Sequence, residues 1–286
     1  MRIIHHKAAL RTAVAGMRAN GRIALVPTMG ALHQGHLTLV REAKALGAQV
    51  VVSIFVNPRQ FGAGEDLDAY PRQLEADAAL LADEGVAILW APAPEEVYPE
   101  GYATNISVAG VSEGLCGGTR PGHFDGVSTV VNKLFNQVQP DVALFGEKDW
   151  QQLAVIRRMA RDLDLTHPSV DNIIGVPTVR EKDGLALSSR NAYLSAEERA
   201  QAVSLPTAMR KAIAAIEKHA DVAETLAALQ AEVLEGGFLS VDYAELRDAD
   251  SLTPLTQLGT RPARLLVAAR IGKARLIDNM AVSAKG

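Results

Sequence analysis

Ile23-Ala-Leu-Val-Pro-Thr-Met-Gly-Ala-Leu-His-Gln-Gly-His36 joins a short apolar run to a segment of helical spacing. Ile23 to Val26, closed by Pro27, reads as a buried strand. From His36 to Leu46 the apolar residues Leu39, Val40, Ala43 and Leu46 recur once per helical turn, and Gly47 supplies a stop. Strand, loop and helix repeat outward from this unit. Val50 to Val56 is β-branched and apolar on both faces, as a central parallel strand requires. Pro71 opens a helix carrying Leu74, Ala78 and Leu81, and Val86 to Trp90 is the next strand. Helix-like Val127 to Gln137 leads to strand-like Val142 to Phe145 and then to a helix bearing Leu153, Ile156, Ala160 and Leu163. Such alternation predicts a Rossmann-like α/β fold: a parallel sheet with right-handed crossovers. Ligands then bind beyond the carboxyl ends of the strands, in the loops after Val26, Val56 and Phe145.

The pattern changes after about Val176. Ser195-Ala-Glu-Glu198 is a capping box that opens a helical stretch, and Asp221 to Leu234 is an Ala-rich helix. Strand-like Leu239–Leu246, Ala263–Ala269 and Ala274–Ile277 follow. We therefore expect residues 1–176 to form the Rossmann-like nucleotide-binding domain and residues 177–286 a smaller α+β domain. The 286 residues carry 29 Lys+Arg against 33 Asp+Glu, a balance unlike the clustered basic charge that coats nucleic acid. An apolar fraction of 48% supplies a core, and no apolar run is long enough to span a bilayer. The single Cys116 excludes an internal disulfide framework, which leads us to expect a cytoplasmic protein.

The loop after the first of these strands holds two imidazoles, His33 and His36, around Gly35 at a helix mouth. Free N–H groups and the positive dipole end suit a phosphate there, and imidazoles aimed at it can donate hydrogen bonds as charge develops. The same histidines could instead cap the helix. After Phe145, Gly146-Glu-Lys-Asp-Trp-Gln-Gln152 places Asp149 as an N-cap and Lys148 at the next helix mouth, with Gln152 one turn on. Leu187-Ser-Ser-Arg-Asn191 offers two hydroxyls and a guanidinium, and Asn57-Pro-Arg-Gln-Phe61 offers two amides suited to hydroxyl or carboxylate groups. Either could also be an ordinary polar turn. No G-x-x-x-x-G-K-[ST], no G-x-S-x-G and no closed zinc ligand set occurs, and Gly62-Ala-Gly64 lacks the third glycine of a dinucleotide fingerprint.

Pro27 through His36, Asn57-Pro-Arg-Gln-Phe61, Arg120-Pro-Gly-His-Phe124, Gly146 through Asp149 with Gln151-Gln152, and Ser188-Ser-Arg-Asn191 follow one another over nearly the whole chain. In this order they resemble the pantothenate synthetase (pantoate–β-alanine ligase) family of the H-x-G-H nucleotidylyltransferase superfamily. Leu187 stands where that family usually has Met, and Trp150 where Tyr or Phe is common. The resemblance implies ATP-dependent condensation of pantoate with β-alanine through a pantoyl adenylate, releasing pyrophosphate and AMP. By the family's pattern His33, His36, Lys148 and Arg190 are catalytic, with His36 the donor. Pro27, Thr28, Met29, Gly30, Ala31, Leu32, His33, Gln34, Gly35 and His36 would surround ATP, together with Gly146, Glu147, Lys148, Asp149, Val179, Leu187, Ser188, Ser189 and Arg190. Gln60, Asn57 and Gln152 would hold pantoate, and Gln60 would also meet β-alanine. Mg²⁺ would arrive on the ATP phosphates, no protein ligand to it being assigned. The smaller domain would act as a lid, and the protein would be a homodimer with no nucleic-acid or membrane partner. A nucleotidyltransferase that stops at the activated intermediate and a non-catalytic nucleotide-binding protein remain the rival readings.

Overall fold

Val50, Val51 and Val52 expose at most 2% of their surface, because the sheet they belong to is covered on both sides. A computed structural model describes residues 1–62 and 64–283; Ala63, within the Gly62–Gly64 segment considered above, lies outside them. Its first part runs β1 (Arg2–Ile4), α1 (Lys7–Arg18), β2 (Ile23–Thr28), α2 (Gln34–Ala45), β3 (Gln49–Ile54), α3 (Leu74–Asp83) and β4 (Ile88–Trp90). Short α4 (Pro94–Val97) and α5 (Leu115–Thr119) precede α6 (His123–Val138), β5 (Val142–Gly146), α7 (Trp150–Asp162) and β6 (Ile173–Val176). The second part comprises α8 (Ala196–Gln201), α9 (Ser204–Ile216), α10 (Val222–Glu235), β7 (Ser240–Asp248), β8 (Ala263–Ile271) and β9 (Ala274–Val282).

The six strands of the first part form one sheet in the order β1-β4-β3-β2-β5-β6, and every pair is parallel. Chain direction across the sheet reverses between β2 and β5. That is the topological switch point at which an open parallel sheet leaves a crevice. On one face α2 and α3 cover Val26, Val52 and Leu144; on the other α1, α6 and α7 cover Leu25, Val51 and Phe145. In the second part, β7, β8 and β9 form an antiparallel sheet whose apolar face packs on α9 and α10 through Leu265, Val267, Met209 and Val233.

Several boundaries differ from the sequence reading. β2 continues through Pro27 to Thr28, since Pro27 lies beyond the two residues that pair with β5 and its missing N–H breaks no bond on that side. Helix α2 starts at Gln34, two residues before His36, because His33 caps it. Pro71 does not open α3, which begins at Leu74. Helix α6 begins at His123 rather than Val127, and β1, α1 and β6 lie outside the segments read from the pattern. The Ser195–Glu198 capping box forms in both directions.

Candidate active site

The loop after β2 is held open by a carboxylate from another element. Asp77 of α3 is fully buried and accepts hydrogen bonds from the backbone N–H groups of Ala31 and Leu32, both at 2.9 Å, and from Gln73 Nε2 at 3.1 Å. Ala31 sits at φ +51°, a conformation that this double bond stabilises. The two histidines then complete a reciprocal cap. His33 Nδ1 accepts from Gly35 N–H at 3.1 Å, and His36 Nδ1 accepts from His33 N–H at 3.3 Å. The helix-capping reading and the ligand-facing reading are therefore both realised, because both imidazoles also line a cavity of about 240 Å³. With each Nδ1 acting as acceptor, the proton of a neutral ring resides on Nε2, and among the described residues neither of these N–H donors has a partner. Burial, then the neighbouring His33, lowers the His36 pKa to about 3. Burial and Lys148 lower that of His33. At neutral pH this is a pair of uncharged donors, their ring centroids 4.2 Å apart.

Across the switch point, β5 ends in the turn Glu147–Asp149. Asp149 occupies the N-cap position of α7 but makes no side-chain capping bond, contrary to expectation; it lies 3.8 Å from Lys148 Nζ instead. The turn is anchored from the antiparallel sheet. Asn279 of β9 donates to the carbonyls of Glu147 and Lys148 at 2.9 and 2.8 Å. Arg264 of β8 pairs with Glu147 at 3.0 Å while its guanidinium lies 3.4 Å from the Trp150 ring centroid. Trp150, one of the two departures from the family pattern, thus serves as a stacking platform for a residue of the second part.

The Asn57–Gln60 turn follows β3. Asn57 is 1% and Gln60 8% exposed. Both Nδ2 hydrogens of Asn57 are committed, to Gln60 Oε1 and to the Gly126 carbonyl at 3.1 Å each, and its Oδ1 accepts from Tyr98 at 2.9 Å. Asn57 therefore orients Gln60, whose amide keeps donor and acceptor capacity toward the cavity beyond its 2.9 Å contact with Met29 Sδ. Gly126 permits this approach of α6, since a Cβ there would collide with the Arg59 carbonyl.

Of the residues expected around a nucleotide, Pro27, Thr28, Met29, His33, Gly35 and His36 border the cavity. So do Gly146, Lys148, Asp149, Val179, Leu187, Ser188, Ser189 and Arg190, as well as Asn57, Gln60 and Gln152. Gly30, Ala31, Leu32, Gln34 and Glu147 do not: Ala31 and Leu32 face Asp77, Gln34 bonds Arg41, and Glu147 faces Arg264. Arg190 is engaged by Asp66 through two bonds of 3.1 and 2.9 Å. Sequence reasoning missed the loop anchors Asp77 and Asn279, the lining residue Tyr70, and the apolar wall Val127, Val130, Val131 and Leu134 of α6, which in sequence is an ordinary core stripe. It also left Arg120 and His123 without a role. Arg120 is paired with Glu65, and His123 donates from Nδ1 to the Gln60 carbonyl at 2.8 Å while accepting from Arg120 at 3.0 Å. Burial, with Arg120 next, brings His123 down to about 4.

A parallel sheet whose switch-point crevice holds paired neutral imidazoles, a lysine and a buried amide defines an α/β enzyme built for an anionic, nucleotide-type ligand. The family model for pantoate-beta-alanine ligase matches residues 2–281, and the chain belongs to that family. It is 69% identical over 283 residues to the pantothenate synthetase of Novosphingobium aromaticivorans, with 99% of each chain covered. The pantothenate synthetase structure from Thermus thermophilus superimposes with a TM-score of 0.92 at 48% identity, covering 99% of this chain and 100% of that one. The pantoate-beta-alanine ligase structure from Francisella tularensis, described as complexed with beta-gamma ATP and beta-alanine, gives 0.83 at 33% identity, covering 100% and 99%.

Proposed function

We propose that the chain condenses (R)-pantoate with β-alanine at the expense of ATP in two steps at the β2–β5 crevice. A pantoate carboxylate oxygen attacks the α-phosphorus of ATP, and the bond to the β-phosphate oxygen breaks, releasing pyrophosphate. The β-alanine amine then attacks the acyl carbon of the pantoyl adenylate; the acyl–oxygen bond breaks, AMP leaves, and the amine loses a proton. The observation that carries this reading is the meeting, in one cavity, of the His33–His36 donor pair, Lys148 and the nearly buried Gln60.

Each group has a task its chemistry suits. His36 and His33 donate from Nε2 to non-bridging phosphate oxygens as negative charge accumulates during adenylation. Lys148 and Arg190 meet the phosphates as cations, and for Arg190 this means exchanging Asp66 for phosphate. Ser188, Ser189, Val179 and Leu187 border the nucleotide, while Gln60, oriented by Asn57, and Gln152 hold the hydroxyls and carboxylate of pantoate, Gln60 also meeting β-alanine. The α6 wall of Val127, Val130 and Val131 shields the mixed anhydride from water.

Mg²⁺ fits this donor set as an ion carried by the phosphates, because it keeps several waters and takes one or two carboxylates. Asp149 is the suitable carboxylate, bordering the cavity and, among the described residues, paired only with Lys148 at 3.8 Å. When bound, the ion neutralises phosphate charge. Residues 1–176 bind ATP and pantoate, residues 177–286 act as the lid, and the active form is a cytoplasmic homodimer; among the described residues no helix is long and apolar enough to cross a membrane. Pyrophosphate–ATP exchange tests the reading: it is expected with pantoate and Mg²⁺ and without β-alanine. Exchange that needs β-alanine would overturn the order of steps. Adenylate formation without any amide product would favour a nucleotidyltransferase.

A further inference from the structure

A second cavity, of about 480 Å³, lies between the parallel sheet's loops and the antiparallel sheet. It shares seven lining residues with the first cavity, among them Arg120, His123 and Gln152 as well as Lys148 and Arg190, but not Asn57 or Gln60, so the two are continuous past the cations of the proposed phosphate site. Its far wall is the β8–β9 hairpin, which contributes Arg270, Lys273 and Arg275. Among the described residues Arg270 and Arg275 share one ion-pair partner, Asp242, at 3.2 and 2.6 Å, while the cavity's Glu65, Asp66 and Asp149 face Arg120, Arg190 and Lys148. The nearby Asp278 is already neutralised by Arg180 through bonds of 2.6 and 2.8 Å. Among the described residues the Lys273 ammonium makes no hydrogen bond or ion pair, and it stands exposed at the hairpin turn. The turn itself is held in place: Gly272 has φ +52° and lies against the Glu198 carboxylate, where a Cβ would collide. Tyr193 borders the same cavity, and among the described residues its buried hydroxyl has no partner.

We propose that this second cavity is an anion subsite, with Lys273 its principal free cation, that receives the pyrophosphate displaced from ATP. The inference rests on the two-step reading above and adds the route of the leaving group. In-line displacement expels pyrophosphate on the side of the α-phosphorus opposite the attacking carboxylate, hence away from Gln60 and past Lys148 and Arg190. The cavity that opens there has a surplus of positive charge on its lid side. A compact ammonium on a flexible stem suits a polyphosphate that must bind briefly and leave.

The test is calorimetric titration of inorganic pyrophosphate into the full chain, which needs no turnover. Lys273→Ala is expected to weaken pyrophosphate binding about 3- to 5-fold, the range of one partly exposed ion pair. Lys273→Arg should restore it, and Lys218→Ala, which removes an exposed charge outside both cavities, should leave it unchanged. Product inhibition by pyrophosphate should follow the same order, with the pantoate KM unmoved. Unchanged pyrophosphate binding in Lys273→Ala, or an equal weakening in Lys218→Ala, overturns the proposal. So does a shift confined to the β-alanine KM, which would assign the wall to the amino acid's carboxylate. Wild-type exchange that fails with pantoate would defeat the two-step reading instead, and the titration would still decide whether the subsite exists.

Discussion

The two loops that face each other across the switch point are built by opposite means. The His33–His36 loop is largely self-sufficient: its imidazoles bond to backbone within three residues, and the buried carboxylate that anchors its backbone, Asp77, belongs to the same parallel-sheet unit. The Glu147–Asp149 turn makes no side-chain cap of its own and takes its anchors from Asn279 and Arg264, more than 100 residues away on the other sheet. The first loop presents neutral donors whose tautomer is set locally. The second presents a cation whose placement depends on how the antiparallel sheet docks. A catalytic site can thus combine a rigid, locally encoded donor pair with a charge whose position responds to the second part of the molecule.

That contrast is open to direct attack. His36→Ala should lower the pyrophosphate exchange rate by about 10²–10³, or roughly 3–4 kcal/mol, the usual cost of losing one preorganised donor to a developing oxyanion. The amide-forming step, measured with pantoyl adenylate supplied directly, should suffer much less, since charge then grows on the carbonyl oxygen. Equal losses in both half-reactions, in a variant that melts like wild type, would reduce His36 to a general positioning group.

Asp77→Ala tests the buried carboxylate that anchors the loop backbone. It orphans two backbone N–H groups and should cost about 2–3 kcal/mol of stability, visible in denaturant unfolding. A variant as stable as wild type would show that the loop holds itself. Gln60→Ala should raise the pantoate KM about 10-fold, in line with the roughly 1–3 kcal/mol lost when a buried polar group loses its partner. The ATP dissociation constant should stay within twofold, and comparable weakening of both ligands would contradict the assignment of Gln60 to pantoate.

The neutral imidazoles also predict a pH dependence. His36 at about 3 and His123 at about 4 lie below the ordinary value near 6.5, so the unfolded chain binds more protons than the folded one between those limits. Their contribution to stability is complete above about pH 6.5 and is lost as pH falls toward 3–4. The melting temperature should therefore drop between pH 7 and pH 5 by roughly 3–6 °C, and His123→Gln should flatten the slope. A slope indifferent to that substitution would mean that other groups carry it.

Asn279→Ala should have the smallest effect. The two carbonyls it frees can turn to water, so a cost of about 1 kcal/mol is expected. It should fall on the exchange rate and the ATP KM, through Lys148, more than on the melting temperature. A purely thermal effect would mean that the second sheet braces the fold without tuning the cation.

How far the site could be read in advance follows the same division. The β2 and β3 strands, the H-x-G-H turn and the Asn57–Gln60 amides stood out because period and turn chemistry are properties of neighbouring residues. Asp77 did not, since a helical acid in sequence has the signature of a solvated face and only the fold shows it fully buried. Asn57 was legible as a polar group near the sheet edge, but its fully committed amide shows it orienting Gln60. Short β1 and β6, three and four residues long, were missed because so few positions cannot establish a period, and their pairing partners supply the order.

What the sequence determined alone was the strand–loop–helix alternation and the residue types at each turn, because hydrophobic period, capping and glycine placement act over a few residues. Tertiary structure decided which turns meet. The strand order β1-β4-β3-β2-β5-β6 sets the loops after β2 and β5 side by side, and the docking of β8 and β9 places Asn279 and Arg264 under Lys148. Those choices depend on burying two faces of one sheet and one face of another at once, a condition on the whole chain that no local window contains.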